Sequence, residues 1–360
     1  MITSVKSLPV ILGLILSVGA LAGEQTMAIP VHEYRIPNFK TQNGVALDIH
    51  LAYTTQGALN AKKNNAILVL TSYSATHEDA RDLFVPSDIL DLSDHFVIVV
   101  NMLSNSASSS PSNTAAPFDG PRFPLITIHD NVRAQHQLVT EGLGISELKL
   151  VMGFSMGGLQ SFEWGAQYSD MVKAILPICG AAKVARHNWL FLEGVKQALF
   201  ADPTFNRGDY VAFPENGMNA FATVWAGWVF SQGFFREGLY TTLGMTETKD
   251  AIGFMKDYFF RRDPNDLLGM MATWQAANIA DNDRFDGDFV AALEAISARA
   301  IVMPGRTDLY FRVADSEYEV SQMPNAELRV IESKLGHGAG SGMDPIGKAE
   351  IDRAIMDLIN

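Results

Sequence analysis

The chain has a single cysteine and no cluster of positive charge, and each of these features excludes some classes of protein. One cysteine, Cys179, stands among 360 residues, so no intramolecular disulfide can form. Its place at the end of the apolar run 174–179 predicts a buried strand residue. A net charge of −13 without a cluster of Lys and Arg argues against a nucleic-acid partner and against an anionic membrane surface. The sequence also lacks an internal repeat and a nucleotide-binding glycine pattern.

The apolar run at the N-terminus is too short for a membrane-spanning helix. Lys6 precedes 15 uncharged residues, 8–22, whereas a spanning helix needs about 20. Small residues at Ala20 and Ala22 suit a signal peptidase. We therefore predict that residues 1–22 are a signal peptide and that the protein is exported, to the periplasm or the medium. An uncleaved anchor or a misread start codon is the alternative.

Short apolar runs in the first half of the chain predict an α/β fold. The runs 66–70, 96–100, 148–152 and 174–179 are typical of buried parallel strands. A helical pattern over 128–143, closed by glycines, lies between the second and third of these runs. The alternation predicts a mostly parallel sheet with helices on both faces. Residues 45–53 predict part of an antiparallel hairpin at the sheet edge.

The strand signal disappears between residues 183 and 297 and resumes at 300–303 and 328–331. The intervening segment has a helical and aromatic composition, so we predict a helical lid, 183–297, inserted into a core formed by 23–182 and 298–360. As a set, its aromatic side chains would line an apolar acyl pocket, although most single aromatic residues serve core packing. The Ser- and Pro-rich stretch 104–121 predicts an ordered loop near the site rather than a linker.

Residues 153–157, Gly-Phe-Ser-Met-Gly, are a motif that indicates a catalytic serine. An apolar strand candidate precedes them and a helix-like stretch follows, which is the layout of a nucleophile elbow. The glycines are needed because a β-carbon on either side of such a tight turn would meet backbone atoms. Ser155 is therefore the candidate nucleophile; the alternative is a glycine-rich turn with an idle serine.

A serine hydroxyl needs a base, and the base needs an orienting carboxylate. His337 is the one histidine after the predicted insertion, which makes it the candidate base. Asp308 follows the strand candidate 300–303, where strand ends deliver active-site groups, and is the candidate acid; a plain turn aspartate is the alternative. Backbone amides of Met156 and of the loop 71–75, within which we choose Tyr73, are the candidate oxyanion hole.

A long stretch of the sequence resembles the homoserine O-acetyltransferases of the α/β-hydrolase fold. The similar segments are 123–124, 126–135 (Ile-Thr-Ile-His-Asp-Asn-Val-Arg-Ala-Gln), 143–145, 153–160 and 163–164, with further similarity at 201–203 and 208–210. The resemblance implies the α/β-hydrolase fold, a helical lid and an acyl-serine intermediate in a two-step mechanism. It assigns Ser155, Asp308 and His337 to a catalytic triad, in agreement with the reasoning from the residues.

Two departures from that family concern the acceptor. The family has an aspartate directly after the catalytic histidine, for the homoserine ammonium, whereas this chain has Gly338. The family's lid arginine, which serves the homoserine carboxylate, has no counterpart in residues 217–222, and Arg236 is the nearest substitute. Without these two groups the charges of an amino acid would be unpaired in a closed pocket.

We therefore expect serine-dependent acyl-ester chemistry through an acyl-enzyme, with hydrolysis of a small carboxylic ester as the leading reaction. An O-acyltransferase that moves an acyl group from acyl-CoA to an alcohol is the alternative, and a non-catalytic binding protein on the same scaffold is a third. The expected ligand is a small-molecule acyl ester or acyl donor. We expect no cofactor, metal or nucleic acid, and a homodimer is a possible assembly.

Overall fold

The computed structural model describes residues 29–85 and 89–360. The predicted signal peptide, 1–22, lies outside these residues. Eight strands form one sheet in the order β1-β2-β4-β3-β5-β6-β7-β8. Their bounds are β1 Val31–Lys40, β2 Ala46–Gln56, β3 Ala66–Leu70, β4 Phe96–Val100, β5 Leu150–Phe154, β6 Ala174–Ile178, β7 Arg299–Val302 and β8 Ala326–Leu328. The pairs β1-β2 and β2-β4 are antiparallel, and the other pairs are parallel.

Eleven α-helices accompany the sheet in the described part of the chain. They are α1 His77–Phe84, α2 Ile128–Gln137, α3 Met156–Gln167, α4 Arg186–Phe200, α5 Glu215–Val229, α6 Gln232–Arg236, α7 Asp250–Phe259, α8 Pro264–Gln275, α9 Phe289–Glu294, α10 Val313–Gln322 and α11 Pro345–Ile359. Helices α4 to α9 all lie between β6 and β7, inside the predicted segment 183–297. None of the helices in the described residues is long and apolar enough to cross a membrane.

The central strands are apolar on both faces because helices cover both faces. Along β3, Leu68 and Leu70 belong to one core cluster, which α2, α3 and the helices between β6 and β7 share. Ile67 and Val69 point to the other cluster, which includes Phe84 of α1 and Ile355 of α11. Alternate residues of a strand face opposite sides of a sheet, so a strand buried on both sides is apolar throughout. The predicted α/β-hydrolase fold is confirmed.

Two strands begin two residues away from their predicted starts, and β6 and β7 differ from the predicted bounds by one residue. β5 begins at Leu150 rather than at residue 148, because Leu148 forms only an isolated bridge with Val172. The last strand covers Ala326–Leu328 rather than 328–331, and Ile331 makes only an isolated bridge to Gly305. At both places the apolar pattern marks buried residues, whereas regular strand pairing covers a neighbouring range. The predicted hairpin at the sheet edge is confirmed by the antiparallel pair β1-β2.

The ends of the parallel strands gather the candidate site at one edge of the sheet. Leu70 of β3 pairs with Val100 of β4 and with Gly153 of β5, so these three strands end at the same level. Parallel strands deliver their following loops to one edge, where ligands of open α/β sheets bind. The loop after β3 and the turn after β5 therefore lie side by side.

The loop 104–121 is ordered by hydrogen bonds and supports this edge from outside. The Asn105 side chain donates to the Ala75 carbonyl at 3.0 Å. Asp266 of α8 accepts from the Ser112 backbone N–H at 2.9 Å and from its hydroxyl at 2.6 Å. These bonds tie the loop to the segment after β3 and to α8. The loop itself does not line the cavity described below.

Candidate active site

Ser155 occupies a strained turn between β5 and α3. Its backbone angles are φ 56° and ψ −121°, which few residues other than glycine adopt. A β-carbon on Gly153 would lie 2.5 Å from the carbonyl carbon of Gly157, and one on Gly157 would lie 2.4 Å from Leu70 O. Backbone atoms cannot give way as flexible side chains can, so both positions require glycine. The turn has the nucleophile-elbow conformation that the motif predicted.

The structure brings the three predicted side chains together. His337 Nε2 lies 2.9 Å from Ser155 Oγ, and His337 Nδ1 lies 2.7 Å from Asp308 Oδ2. All three residues are buried, with Asp308 entirely inaccessible. The His337 ring packs against the rings of Phe154 and Tyr310, with centroids 4.7 and 4.8 Å away, and these contacts hold its plane. This arrangement can pass a proton from the serine hydroxyl to the imidazole.

Backbone amides fix the carboxylate of Asp308. Oδ1 accepts from the N–H groups of Tyr310 at 2.7 Å and Phe311 at 3.3 Å, so Oδ2 is left for His337. The thiol of Cys179 lies beside this pair. Cys179 is fully buried, as predicted, but it follows β6 instead of belonging to the strand. Burial and the neighbouring Asp308 carboxylate raise the pKa of the Cys179 thiol well above its usual value, so the thiol is neutral.

Cys179, Asp308 and His337 are also the one set of three potential metal ligands that cluster within the described ranges. One ligand atom from each lies within 4.8 Å of the others. However, Asp308 Oδ2 and His337 Nδ1 are already hydrogen-bonded to each other, and the Cys179 thiol is neutral. We assign no metal to this cluster.

The two predicted oxyanion amides are at the beginning of α3 and in the loop after β3. Met156 is the first residue of α3, where amide N–H groups lack partners within the helix. In the described residues, neither the Met156 nor the Tyr73 N–H donates to a backbone or side-chain acceptor. The Tyr73 side chain is anchored by a hydrogen bond from its hydroxyl to Leu267 O at 3.0 Å. Both amides are therefore free to bind a ligand.

Ser155 and His337 open into a mainly apolar cavity of about 620 Å³. Aromatic side chains form much of its wall: Tyr73, Phe154, Trp225, Phe254, Tyr258, Phe259, Trp274 and Tyr310. Among the aromatic residues of the predicted insertion 183–297, Trp225, Phe259 and Trp274 line the cavity, whereas Phe230 and Phe234 pack in the core and Trp189 is exposed.

Charged side chains of the cavity wall are neutralised by neighbours. Asp79 pairs with Arg262 at 3.3 Å, Asp82 pairs with Arg81 at 2.6 Å, and Lys348 pairs with a carboxylate one helical turn later. No arginine lines the cavity among the described residues. Arg236, the substitute that the sequence suggested for the lid cation, is exposed and is not part of the wall.

Sequence reasoning missed the part of the wall that α1 contributes. Asp79, Leu83 and Phe84 line the cavity, although α1 lies between β3 and β4 and reads as a polar surface helix. Gly338, noted only for what it lacks, lines the cavity beside His337. A partial signal existed for α1, because Ala80 and Phe84 are four residues apart and mark a buried face.

The fold and this site define an enzyme of the α/β-hydrolase class, and comparison with known proteins agrees. A family model described as the alpha/beta hydrolase fold matches residues 65–339, and the chain belongs to this family. An ethyl acetate hydrolase of Pseudomonas veronii is 38% identical over 314 residues, which cover 86% of this chain and 89% of the relative. The solved structure of the acetyl esterase MekB superposes with a TM-score of 0.89 at 37% identity, over 92% of this chain and 96% of that one.

A homoserine O-acetyltransferase of Chlorobium chlorochromatii is more distant. It is 29% identical over 360 residues, which cover 95% of this chain and 97% of the relative. The resemblance to the homoserine O-acetyltransferases that the sequence indicated is therefore confirmed.

Proposed function

We propose that this protein hydrolyses small, uncharged carboxylic esters through an acyl-serine intermediate. The observation that carries the proposal is the chain of hydrogen bonds from Ser155 through His337 to Asp308, opening into an apolar cavity. Ser155 Oγ attacks the ester carbonyl while His337 Nε2 takes its proton and then gives it to the departing alcohol. Amides of Met156 and Tyr73 stabilise the oxyanion.

Water completes the reaction. His337, neutral again after the alcohol has left, removes a proton from a water molecule that attacks the acyl carbon. The bond between the acyl group and Ser155 Oγ breaks, the serine recovers its proton, and the carboxylic acid leaves. Asp308 holds the His337 tautomer and stabilises the imidazolium in both halves of the reaction.

The cavity wall supports an uncharged substrate. Its charged groups are already paired, and most of its surface is aromatic or aliphatic. A charged substrate would lose its hydration there without gaining a partner, which is costly in an apolar site. Esters of small acids and alcohols carry no such charge. The relatives named as an ethyl acetate hydrolase and an acetyl esterase support this substrate class.

Acyl transfer to homoserine is the second candidate, and the similarity to a homoserine O-acetyltransferase favours it. Two features of the cavity argue against acyl transfer to homoserine. Gly338 offers no carboxylate to an ammonium group beside His337, and no unpaired cation in the described part of the wall would receive the carboxylate of an amino acid. Export, which remains a proposal from residues 8–22, would also separate the protein from cytoplasmic acyl-CoA.

One pair of assays distinguishes the two reactions. Purified protein lacking residues 1–22 is given a short-chain aryl acetate in water, and separately acetyl-CoA with homoserine or other alcohols. Ser155→Ala is the inactive variant, and Ser161→Ala, a buried serine on the same helix, is its matched control. We expect ester hydrolysis that Ser155→Ala abolishes and Ser161→Ala retains. Faster transfer than hydrolysis would contradict the proposal, and light scattering of the same sample would show whether it is a homodimer.

A further inference from the structure

A buried chain of polar side chains links the two segments that carry the candidate oxyanion amides. Trp164 Nε1 donates to Gln135 Oε1 at 2.9 Å, and Gln135 Nε2 donates to Gln160 Oε1 at 2.6 Å. Gln160 Nε2 then donates to two backbone carbonyls, Thr71 O at 2.9 Å and Met156 O at 3.1 Å. The three side chains are inaccessible to solvent. Gln160 therefore contacts both the loop after β3 and the beginning of α3.

The two ends of this chain determine the orientation of both amide groups. An indole N–H can only donate, so the oxygen of Gln135 must face Trp164. A backbone carbonyl can only accept, so the nitrogen of Gln160 must face Thr71 and Met156. Exchanging oxygen and nitrogen in either glutamine would bring two donors or two acceptors together. Both N–H groups of Gln160 are thus committed to the two carbonyls.

We propose that Gln160 is a positioning residue that sets the separation of the Met156 and Tyr73 amides. The inference rests on the proposed function, because it takes these amides as the oxyanion hole. One carbonyl that Gln160 binds belongs to Met156 itself, and the other belongs to Thr71, two residues before Tyr73. Because one planar amide group binds both, the helix start and the loop cannot move apart without losing a buried hydrogen bond.

Other bonds hold the same loop but do not connect it to α3. The Thr71 hydroxyl accepts from Met102 N at 3.0 Å, after β4, and Ser74 O accepts from Arg262 Nε at 2.7 Å, next to α8. Removing the Gln160 amide would leave the loop folded against these neighbours. Its position relative to Met156 would no longer be fixed by a shared side chain. Misplacing a stabilising group by about 1 Å can cost about 100-fold in rate.

The test compares Gln160→Met with Ser161→Ala. Methionine keeps the length of the side chain and removes both donors, whereas Ser161→Ala removes a buried bond from the Ser161 hydroxyl to Gly157 O in the same helix. With an aryl acetate, we expect Gln160→Met to lower kcat by about 10- to 1,000-fold, where loss of one oxyanion donor itself costs about 100- to 1,000-fold, with KM nearly unchanged. A boronic acid, which forms a tetrahedral adduct with Ser155, should bind more weakly by a similar factor.

Gln135→Met is the second variant, in case Gln160→Met does not fold. It removes the group that orients the Gln160 amide and leaves both backbone carbonyls bonded, so we expect a smaller loss of kcat, about 3- to 10-fold. Thermal unfolding identifies the folded variants. The proposal is overturned if the folded Gln160→Met protein keeps kcat and boronate affinity within about threefold of Ser161→Ala, or if only KM changes. If Gln135→Met is the only folded variant, a kcat equal to that of the wild type overturns it.

The wild-type protein separates this inference from the proposed function. Ester turnover by the wild type together with an unchanged Gln160→Met variant would overturn only the role of Gln160. Absence of ester turnover in the wild type would overturn the proposed function. The rate at which a fluorophosphonate labels Ser155 would then decide the inference, because that reaction also develops negative charge on an oxygen beside the amides. Equal labelling rates for Gln160→Met and Ser161→Ala would overturn it.

Discussion

Replacing Asp308 with asparagine should inactivate the enzyme by changing which nitrogen of His337 carries the proton. Asp308 Oδ1 accepts from the backbone N–H groups of Tyr310 and Phe311, which can only donate. Asparagine must keep its carbonyl oxygen in that place, and its NH₂ group then faces His337 Nδ1. Nδ1 has to become an acceptor, so the ring proton moves to Nε2. An Nε2 that carries a proton cannot accept one from Ser155.

The expected loss in kcat is about 10⁴-fold, or about 5 kcal/mol of transition-state stabilisation, because this exchange produces the wrong tautomer in a serine triad. The assay is hydrolysis of a short-chain aryl acetate at neutral pH, with KM measured alongside. Asp202→Asn is the matched control: Asp202 is also buried and accepts from two backbone N–H groups, of Thr204 and Gly217, but it does not line the cavity. Asp308→Asn with more than about a tenth of wild-type kcat would refute the tautomer argument.

Three further predictions concern packing, charge and pH. Gly157→Ala should abolish ester hydrolysis and lower the unfolding temperature, because its β-carbon would lie 2.4 Å from Leu70 O; an unchanged melting curve would contradict this. Gly338→Asp should move the acid limb of kcat/KM to higher pH, since a new carboxylate beside His337 favours the imidazolium; an unmoved limb would contradict it. Burial raises the pKa of Glu319 from 4.5 to about 8. The stability that the neutral carboxyl supplies is complete below pH 4.5 and is lost as the pH rises through about 8. Glu319→Gln should therefore unfold at higher denaturant concentration than the wild type at pH 9, with the gap closing near pH 5.

The sequence was sufficient for the parts of the molecule that follow from local pattern and order along the chain. The apolar runs 66–70 and 96–100 became strands at their predicted bounds, and the run 174–179 became a strand over its first five residues. Strands without polar positions are expected where helices cover both faces of a sheet. The glycines around Ser155 identified the turn, and the absence of another histidine late in the chain identified His337. These inferences needed no knowledge of which elements touch.

Contacts between distant segments could not be read in the same way. Asp79 and Phe84 of α1 reach the cavity because β3 lies next to β5 in the sheet, and this strand order is not written in the apolar pattern. The pairing of Gln135 with Gln160 requires α2 to pack on α3 at one register. Trp189 and Trp225 both lie on helices of the segment between β6 and β7, yet one is exposed and the other lines the cavity. Only the packing of the helices decides between such cases.

The segment between β6 and β7 has a consequence for how the protein folds. Ser155 lies before this segment, whereas Asp308 and His337 lie after it, so the hydrogen bond between Ser155 and His337 spans 182 positions. Contacts of such long sequence separation form slowly, because the intervening chain must be ordered first. The turn that carries Ser155 can therefore form while the catalytic base, His337, is still far away. The appearance of fluorophosphonate-reactive Ser155 during refolding would report docking of the C-terminal strands, later than the secondary structure seen by circular dichroism.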